Sequence, residues 1–348
     1  MSKSNAATVN NYTDGVTTEA YTFEHGATAQ TPALTDYRYI GASPNNYVEF
    51  NCDDNGENCE VWRAIGVFYV DDGDGNWEWR VKLVRGTSLS TKMSWDTRTS
   101  EMYPNDNCGK NEWNGSSIQT YLNDDGEYYA RSGSASEYGL KATAKTLISD
   151  AKYYLGGRAW ISGNQPYGST DEMYSWERGL ETFSYESFCL YNIYHSTWRN
   201  RCSSENYCEN NPTDEICGAT RTLNWKGEIA LMYPSDMYMT YANVVDTICY
   251  DDPYECTNMH PPYYGVENPG IPTTSWLYLT NENDWFLSPE IQSSTGVFYL
   301  HGGGNSNYSV LGSASGGNQG IRPVLYLSSS VKTTSGDGSV DSPYKLSL

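Results

Sequence analysis

Asp72, Asp74, Asn76 and Glu78 alternate as D-x-D-x-N-x-E, which sets hard oxygen ligands at the spacing of a calcium loop. An EF-hand loop would need glycine at the sixth position, where Trp77 stands, and an acidic twelfth ligand that is missing. A solvated hairpin turn is the competing reading of the same DDGDGN letters. Asn281, Glu282, Asn283 and Asp284 form a second cluster of calcium-type donors. The four histidines, His25, His195, His260 and His301, lie far apart and make no helical i, i+4 pair of the kind that holds a transition metal. The segment GSASG (312–316) has the glycines of a nucleophile elbow but alanine where the serine should stand. With 43 carboxylates some pair always matches the separation used in glycoside cleavage, so acid pairing has no specificity. These groups do not converge on an enzyme. The expectation is a non-catalytic protein without a cofactor, calcium being the candidate ion.

Cysteine points to an oxidising compartment. The nine cysteines are Cys52, Cys59, Cys108, Cys189, Cys202, Cys208, Cys217, Cys249 and Cys256. Such usage is heavy for a reducing environment, and the intervals Cys52/Cys59, Cys202/Cys208 and Cys249/Cys256 suit local loop-closing disulfides. No pair has a close C-x₂₋₄-C interval, so disulfides are expected over zinc. The odd count leaves one thiol free or bonded to another chain. The opening MSKSNAATVN has no apolar central region and does not read as a secretory signal. The expectation is a protein outside the cell or on its surface, whose export segment has been removed or which leaves by another route, as virion proteins do.

The rest of the composition narrows the partners. With 22 Lys and Arg against 43 Asp and Glu the formal charge is −21, and no basic stripe is present to neutralise phosphates. Nucleic acid and anionic lipid are excluded as expected partners, and no run approaches the roughly 18 apolar residues of a membrane helix. In place of charge the chain carries 31 Tyr, 11 Trp, 32 Gly and many Asn and Ser. Tyr and Trp offer rigid amphipathic surface while Ser, Gly and Asn adapt by hydrogen bonding, which is the composition of binding loops. The same aromatics also serve a strand-and-loop core that is poor in Leu and Ile.

The elements that must position these residues are mostly strands. Residues 1–35 read as a flexible tether, and 36–348 as a single α+β domain with a Cys-rich insertion at about 160–224. YVEF (47–50), VWRAIGVFYV (61–70) and WEWRVKLVR (77–85) are β-formers, the last two joined as a hairpin by DDGDGN. Helices are expected over 112–122 and 140–155, the second from the face Leu140, Ala144, Leu147, Ile148, Ala151 and Leu155. GEIALMYP (227–234) and a helical turn at 235–243 follow. Strands close the chain at WLYL (276–279), DWFLSP (284–289), GVFYLHGG (296–303), YSVLG (308–312) and GIRPVLYLSSSV (320–331).

Six motifs taken together, VWRAIGVF (61–68), RVKLVRG (80–86), NEWNGSSIQTYLN (111–123), GEIALMYPSDMYMTYA (227–242), WLYLTNENDWFLSP (276–289) and GIRPVLYL (320–327), resemble a group of surface-exposed proteins of gut Firmicutes. The carboxy-terminal run also resembles the last strands of the C-type-lectin-like fold shared with formylglycine-generating-enzyme-like domains. That fold carries the variable proteins diversified by retroelements. The resemblance spans roughly residues 37 to 346 and is weak in the Cys-rich middle. It implies a C-type-lectin-like domain, an antiparallel sheet with two flanking helices and long disulfide-pinned loops.

It also implies a site. In variable proteins of that fold the ligand-facing residues lie between the WFLSP-like and RPVLYL-like strands, which here gives Gln292, Ser293, Ser294, His301, Asn305, Ser306, Asn307, Tyr308, Ser309, Ser313, Ser315, Asn318 and Gln319, with Trp285 and Tyr299 as aromatic anchors. Ordinary turn chemistry is the competing reading of HGGGNSN and GSASGGNQ. Two enzymatic relatives of the fold do not fit: copper-dependent cysteine oxidation needs a cysteine pair near the last strands, where none follows Cys256, and iron-dependent sulfoxide synthesis needs clustered histidines. The expected function is an adhesin or receptor-binding protein for a protein or glycan on another cell or a host surface. A pilin-like or virion subunit is the alternative, and a glycan-active enzyme the third.

Overall fold

In a computed structural model of the chain the described residues are 20–25, 33–41, 43–98, 109–131, 139–155, 182–184, 220–222, 224–238, 240, 275–278, 282–289, 295–302, 308–317 and 319–348. In chain order the strands are β1 (Ala20–His25), β2 (Leu34–Tyr39), β3 (Tyr47–Phe50), β4 (Glu60–Asp71), β5 (Trp77–Arg85), β6 (Lys92–Met93), β7 (Ala151–Tyr154), β8 (Thr182–Ser184), β9 (Thr220–Thr222), β10 (Asn224–Gly227), β11 (Ile229–Ala230), β12 (Asp284–Pro289), β13 (Gly296–His301), β14 (Tyr308–Ser313), β15 (Gln319–Gly320), β16 (Val324–Tyr326), β17 (Lys332–Ser335) and β18 (Tyr344–Ser347). The helices are short: α1 (Ser117–Leu122), α2 (Glu127–Ala130), α3 (Ala142–Lys145) and α4 (Pro234–Tyr238).

The hairpin expected from DDGDGN forms. β4 and β5 pair antiparallel from Trp62 opposite Arg85 to Asp71 opposite Trp77. Gly73 and Gly75 take φ of 90° and 87° in the turn, where a side chain would be strained. The Asp71 carboxylate accepts the N–H groups of both glycines at 2.8 and 3.0 Å, an Asx-type closure.

This hairpin is the centre of a nine-stranded sheet ordered β11-β16-β5-β4-β3-β18-β17, with β2 also on β4 and β1 on β2. A bulge between Ala64 and Gly66 lets β4 hold β3 along one half and β2 along the other. Gly66 is required at the junction, because a Cβ there would stand 2.0 Å from the Tyr37 carbonyl oxygen. A second sheet, β14-β13-β12-β15-β6, carries Trp285, Tyr299, His301, Tyr308, Ser309, Ser313 and Gln319 of the carboxy-terminal candidates.

Several expectations need correction. The sheets are mixed rather than antiparallel throughout, since β3 runs parallel to β18 and β12 parallel to β15. The helix expected over 140–155 is helical only at α3. Its second half is β7, which pairs with β10 from Ala151–Gly227 to Tyr154–Asn224. A four-residue helix has little cooperativity of its own, and Tyr153 and Tyr154 bury better on a strand. The helix expected over 112–122 begins only at Ser117, where the Ser116 side chain accepts the Gln119 N–H. Trp276 to Tyr278 of WLYL are not strand: Trp276 and Leu277 form a turn, and Leu279 lies outside the described residues. At the amino-terminal end β1 lies within the segment read as a tether. Most of the Cys-rich insertion lies outside the described residues, β8 and β9 excepted.

Aromatic residues fill the core, as the composition suggested. Trp62, Trp95, Trp113 and Trp285 are all fully buried. Edge and tilted contacts run from Trp95 to Trp113, Trp225, Tyr153 and Tyr326 with centroid spacings of 5.5 to 5.7 Å, linking the helical segment to the large sheet. Cys52 and Cys59 are joined by a disulfide across the loop between β3 and β4. The other seven cysteines lie outside the described residues.

Candidate functional site

The carboxy-terminal strands form an antiparallel platform in which Tyr299 of β13 stands between Trp285 of β12 and Val310 of β14. The chain folds this way because WFLSP and GVFYL are dense in β-formers, and both faces of these strands meet other protein: Trp285, Phe286, Leu287, Val297, Phe298 and Leu300 are buried. The indole N–H of Trp285 donates to the Met93 carbonyl at 2.9 Å, and that of Trp95 to the Phe286 carbonyl at 3.2 Å. The Leu287 N–H reaches the Met232 carbonyl at 2.8 Å. Gly312 lies under the Tyr299 ring, which an added Cβ would meet at 3.1 Å.

The turn after β14 is fixed from two directions. Ala314 is fully buried; its N–H donates to the Thr295 carbonyl at 2.7 Å and its carbonyl accepts from Asp96 at 3.0 Å. The Asn111 amide donates to the Gly296 carbonyl at 2.8 Å and the Ser94 hydroxyl to the Ser315 carbonyl at 3.0 Å. Ser313 is exposed beside this anchor, with its hydroxyl 3.4 Å from that of the half-buried Ser315.

The structure therefore separates the candidate residues. Trp285 is fully buried and braces the platform from within, so it presents no ring to a ligand. Tyr299 is half-buried against it, and Ser313 and Ser315 lie at the edge. In register His301 stands opposite Tyr308, and Ser309 opposite Leu300. Gln319 pairs with Met93 in β15. Gln292, Ser293, Ser294, Asn305, Ser306, Asn307 and Asn318 lie outside the described residues.

At the root of the platform two charges are buried. Arg322 donates to the carbonyls of Leu277 at 2.6 Å, Arg85 at 2.8 Å and Gly86 at 3.4 Å, clamping the IRPVLYL segment to the end of β5 and to the turn at Trp276 and Leu277. Burial pushes its pKa down to about 10. Asp284 accepts the Ser88 hydroxyl on one oxygen, while its other oxygen is buried without a hydrogen-bond partner. Burial pushes its carboxyl above the usual range, with Arg322 acting in the opposite sense.

The side chains of both calcium candidates are engaged with protein partners. Asp72 accepts the N–H groups of Asp74 and Asn76 at 2.7 and 3.2 Å and the Asn76 amide at 2.9 Å, and these bonds hold its carboxyl below the usual range. Asp74 pairs with Lys226 at 2.6 Å, and Glu78 pairs with Arg80 and accepts from Ser329. These oxygens are engaged by the turn of the β4–β5 hairpin and its neighbours. In the second cluster Glu282 pairs with Lys92 at 3.4 Å, Asn283 accepts the Gly302 N–H at 2.9 Å, and Asp284 is enclosed; Asn281 lies outside the described residues. Among the described residues no group of three or more His, Cys, Asp and Glu side chains is placed to hold a metal.

A feature missed in the sequence is a row of rings across three strands. Tyr37 of β2 meets Trp79 of β5 at 5.6 Å, Trp79 meets Tyr69 of β4 at 5.2 Å, and Tyr69 meets Trp77 at 5.7 Å. Tyr37 and Trp79 are 40% and 44% exposed, unlike the tryptophans of the core. The i, i+2 tryptophans in WEW were the available signal.

No protein-family model, curated protein or solved structure matches the chain. Among the described residues no helix is long and apolar enough to cross a membrane.

Proposed function

We propose that this chain is an extracellular ligand-binding protein, an adhesin or receptor-binding module with a C-type-lectin-like domain whose binding face lies at the carboxy-terminal strands. The observation behind this reading is the platform itself: β12 and β13 are packed against the core, β14 pairs with β13, and the turn at 314–317 is tied down by Thr295, Asp96 and Ser94. A rigid support under small polar residues suits recognition, since little order has to be gained on binding. The Asn/Ser-rich segment between β13 and β14 supplies adaptable donors, and Tyr308 supplies a ring. The disulfide at Cys52–Cys59 is compatible with the oxidising compartment this function requires. Diversification of this segment belongs to the same reading by its resemblance to variable proteins.

The test is a screen of wild-type protein and an Asn307→Ala/Tyr308→Ala double variant against glycan and cell-surface protein panels. Binding by the wild type, abolished in the double variant with an unchanged melting temperature, supports the proposal. Equal binding by both moves the site elsewhere, and absence of any binder contradicts it.

One observation favours the structural alternative. The Tyr37–Trp79–Tyr69–Trp77 row exposes large rings on a sheet face, the kind of surface by which subunits pack. Light scattering and electron microscopy separate the two readings: a pilin-like or virion subunit polymerises, whereas a display domain stays small.

A further inference from the structure

A polar cluster unrelated to the candidate face is buried between the large sheet and α4. Lys82 of β5 and Asp236 of α4 are both 0% exposed, and the Lys82 ammonium donates to Oδ2 of Asp236. Oδ1 of Asp236 accepts from Arg38 of β2 at 3.3 Å, and Arg38 is itself paired with Asp36 at 3.0 Å. The Tyr233 N–H also donates to Oδ2 at 2.9 Å. Rings close the space around the amine: the Lys82 nitrogen lies 4.4 Å from the Tyr233 centroid, 5.5 Å from Phe68 and 5.7 Å from Tyr326.

An ordinary buried ion pair is a poor stabiliser, because removing two charges from water costs about as much as their attraction returns. An amine held against a carboxyl in a dry aromatic enclosure has another outcome open to it. We propose that Lys82 and Asp236 are the precursor pair of an intramolecular isopeptide bond, closed from Nζ of Lys82 to Cγ of Asp236 with release of one water.

The step balances without a co-reactant. The resting pair is an ammonium and a carboxylate. Lys82 passes one proton along the shared hydrogen bond to Oδ2, becoming a neutral amine, and attacks Cγ. Arg38, already on Oδ1, neutralises the negative charge that develops there, in the manner of an oxyanion donor. A second proton from Nζ joins Oδ2, the Cγ–Oδ2 bond breaks, and water leaves with both protons. The amide keeps the third hydrogen on Nζ. Asp36 balances Arg38 throughout, so the cluster is neutral before and after. Burial alone would push the Asp236 carboxyl up, but Lys82 and Arg38 hold it below the usual range, so the reactive neutral pair is a minor form and the closure is slow. Proximity compensates, since amine and acid are already in contact and need no further ordering.

The bond would tie the central strand β5 to α4 across 154 positions of sequence, closing a covalent loop that contains β6, α1, α2, α3 and β7 to β11.

Intact-mass measurement on the reduced, denatured wild-type chain is the test, with Lys82→Arg as comparison. The expected result is a wild-type mass below the sequence mass by one water, a sequence mass for Lys82→Arg, and a branched tryptic peptide joining the Lys82 and Asp236 segments. Since the mass is read on the unfolded chain, a variant that folds poorly does not affect the wild-type reading. A wild-type mass equal to the sequence mass overturns the proposal. So does a missing water that maps elsewhere, for example to a succinimide at Asp125–Gly126.

Discussion

The Trp285 indole meets the Tyr299 ring edge-on, with centroids 5.6 Å apart and planes at 77°, and the Tyr299 ring in turn covers Gly312 on the next strand. This contact ties β12, β13 and β14 into one unit. The buried member of the pair should therefore govern stability and the half-buried one should tolerate change. Trp285→Ala is expected to cost about 3–5 kcal/mol, and Tyr299→Ala markedly less. Urea denaturation of both variants checks the order.

Removal of Arg322 should be severe. Its guanidinium satisfies three carbonyls and faces the Asp284 charge in the same buried region. Arg322→Met leaves these groups without their donor at a cost on the order of 3 kcal/mol or more. Arg322→Lys should recover little, since one ammonium cannot reach carbonyls on three sides. Thermal melts of the two variants test this.

Asp284 sets a pH dependence of defined sign. Its folded-state pKa is raised above 3.8, so between 3.8 and that raised value the folded chain holds a proton which the unfolded chain has lost. Stability from this group therefore falls as pH rises through that window and is flat below it. Asp284→Asn lacks this dependence. Measured by denaturation from pH 3.5 upward, the variant should gain on the wild type with rising pH, and a constant difference would refute the assignment.

The Cys52–Cys59 bridge spans seven positions. On the chain-entropy model a loop of this size contributes about 2–3 kcal/mol. Reduction, or the Cys52→Ser/Cys59→Ser variant, should lower the melting temperature without altering the far-ultraviolet circular dichroism.

Local signals were legible in the sequence. DWFLSP corresponds to β12, GVFYLH to β13, and the DDGDGN turn to the β4–β5 hairpin. Non-local pairings were not. β18 joins β3 in parallel from the other end of the chain, through the segments YKLS and YVEF, whose letters give no sign of each other. The period of 3.6 over 140–155 misled because Ala151, Tyr153, Tyr154 and Leu155 are buried by pairing with β10 and by the core, whatever their helical spacing. In β5 Arg80, Lys82, Leu83 and Val84 are buried while Trp79 is exposed. A buried Lys82 is compatible with folding only because Asp236 arrives from α4, and no local pattern announces that partner. At the candidate face the flanking strands were readable, whereas the burial of Trp285 depends on β6, which supplies the Met93 carbonyl.

The central claim, recognition through the carboxy-terminal face, is tested most directly by amide hydrogen exchange with and without the tightest binder from the glycan and protein panels. Protection confined to residues 301–319 is the predicted result. Protection over β4 and β5 around Tyr69 and Trp79, with 301–319 unchanged, would contradict it and transfer the function to the row of rings.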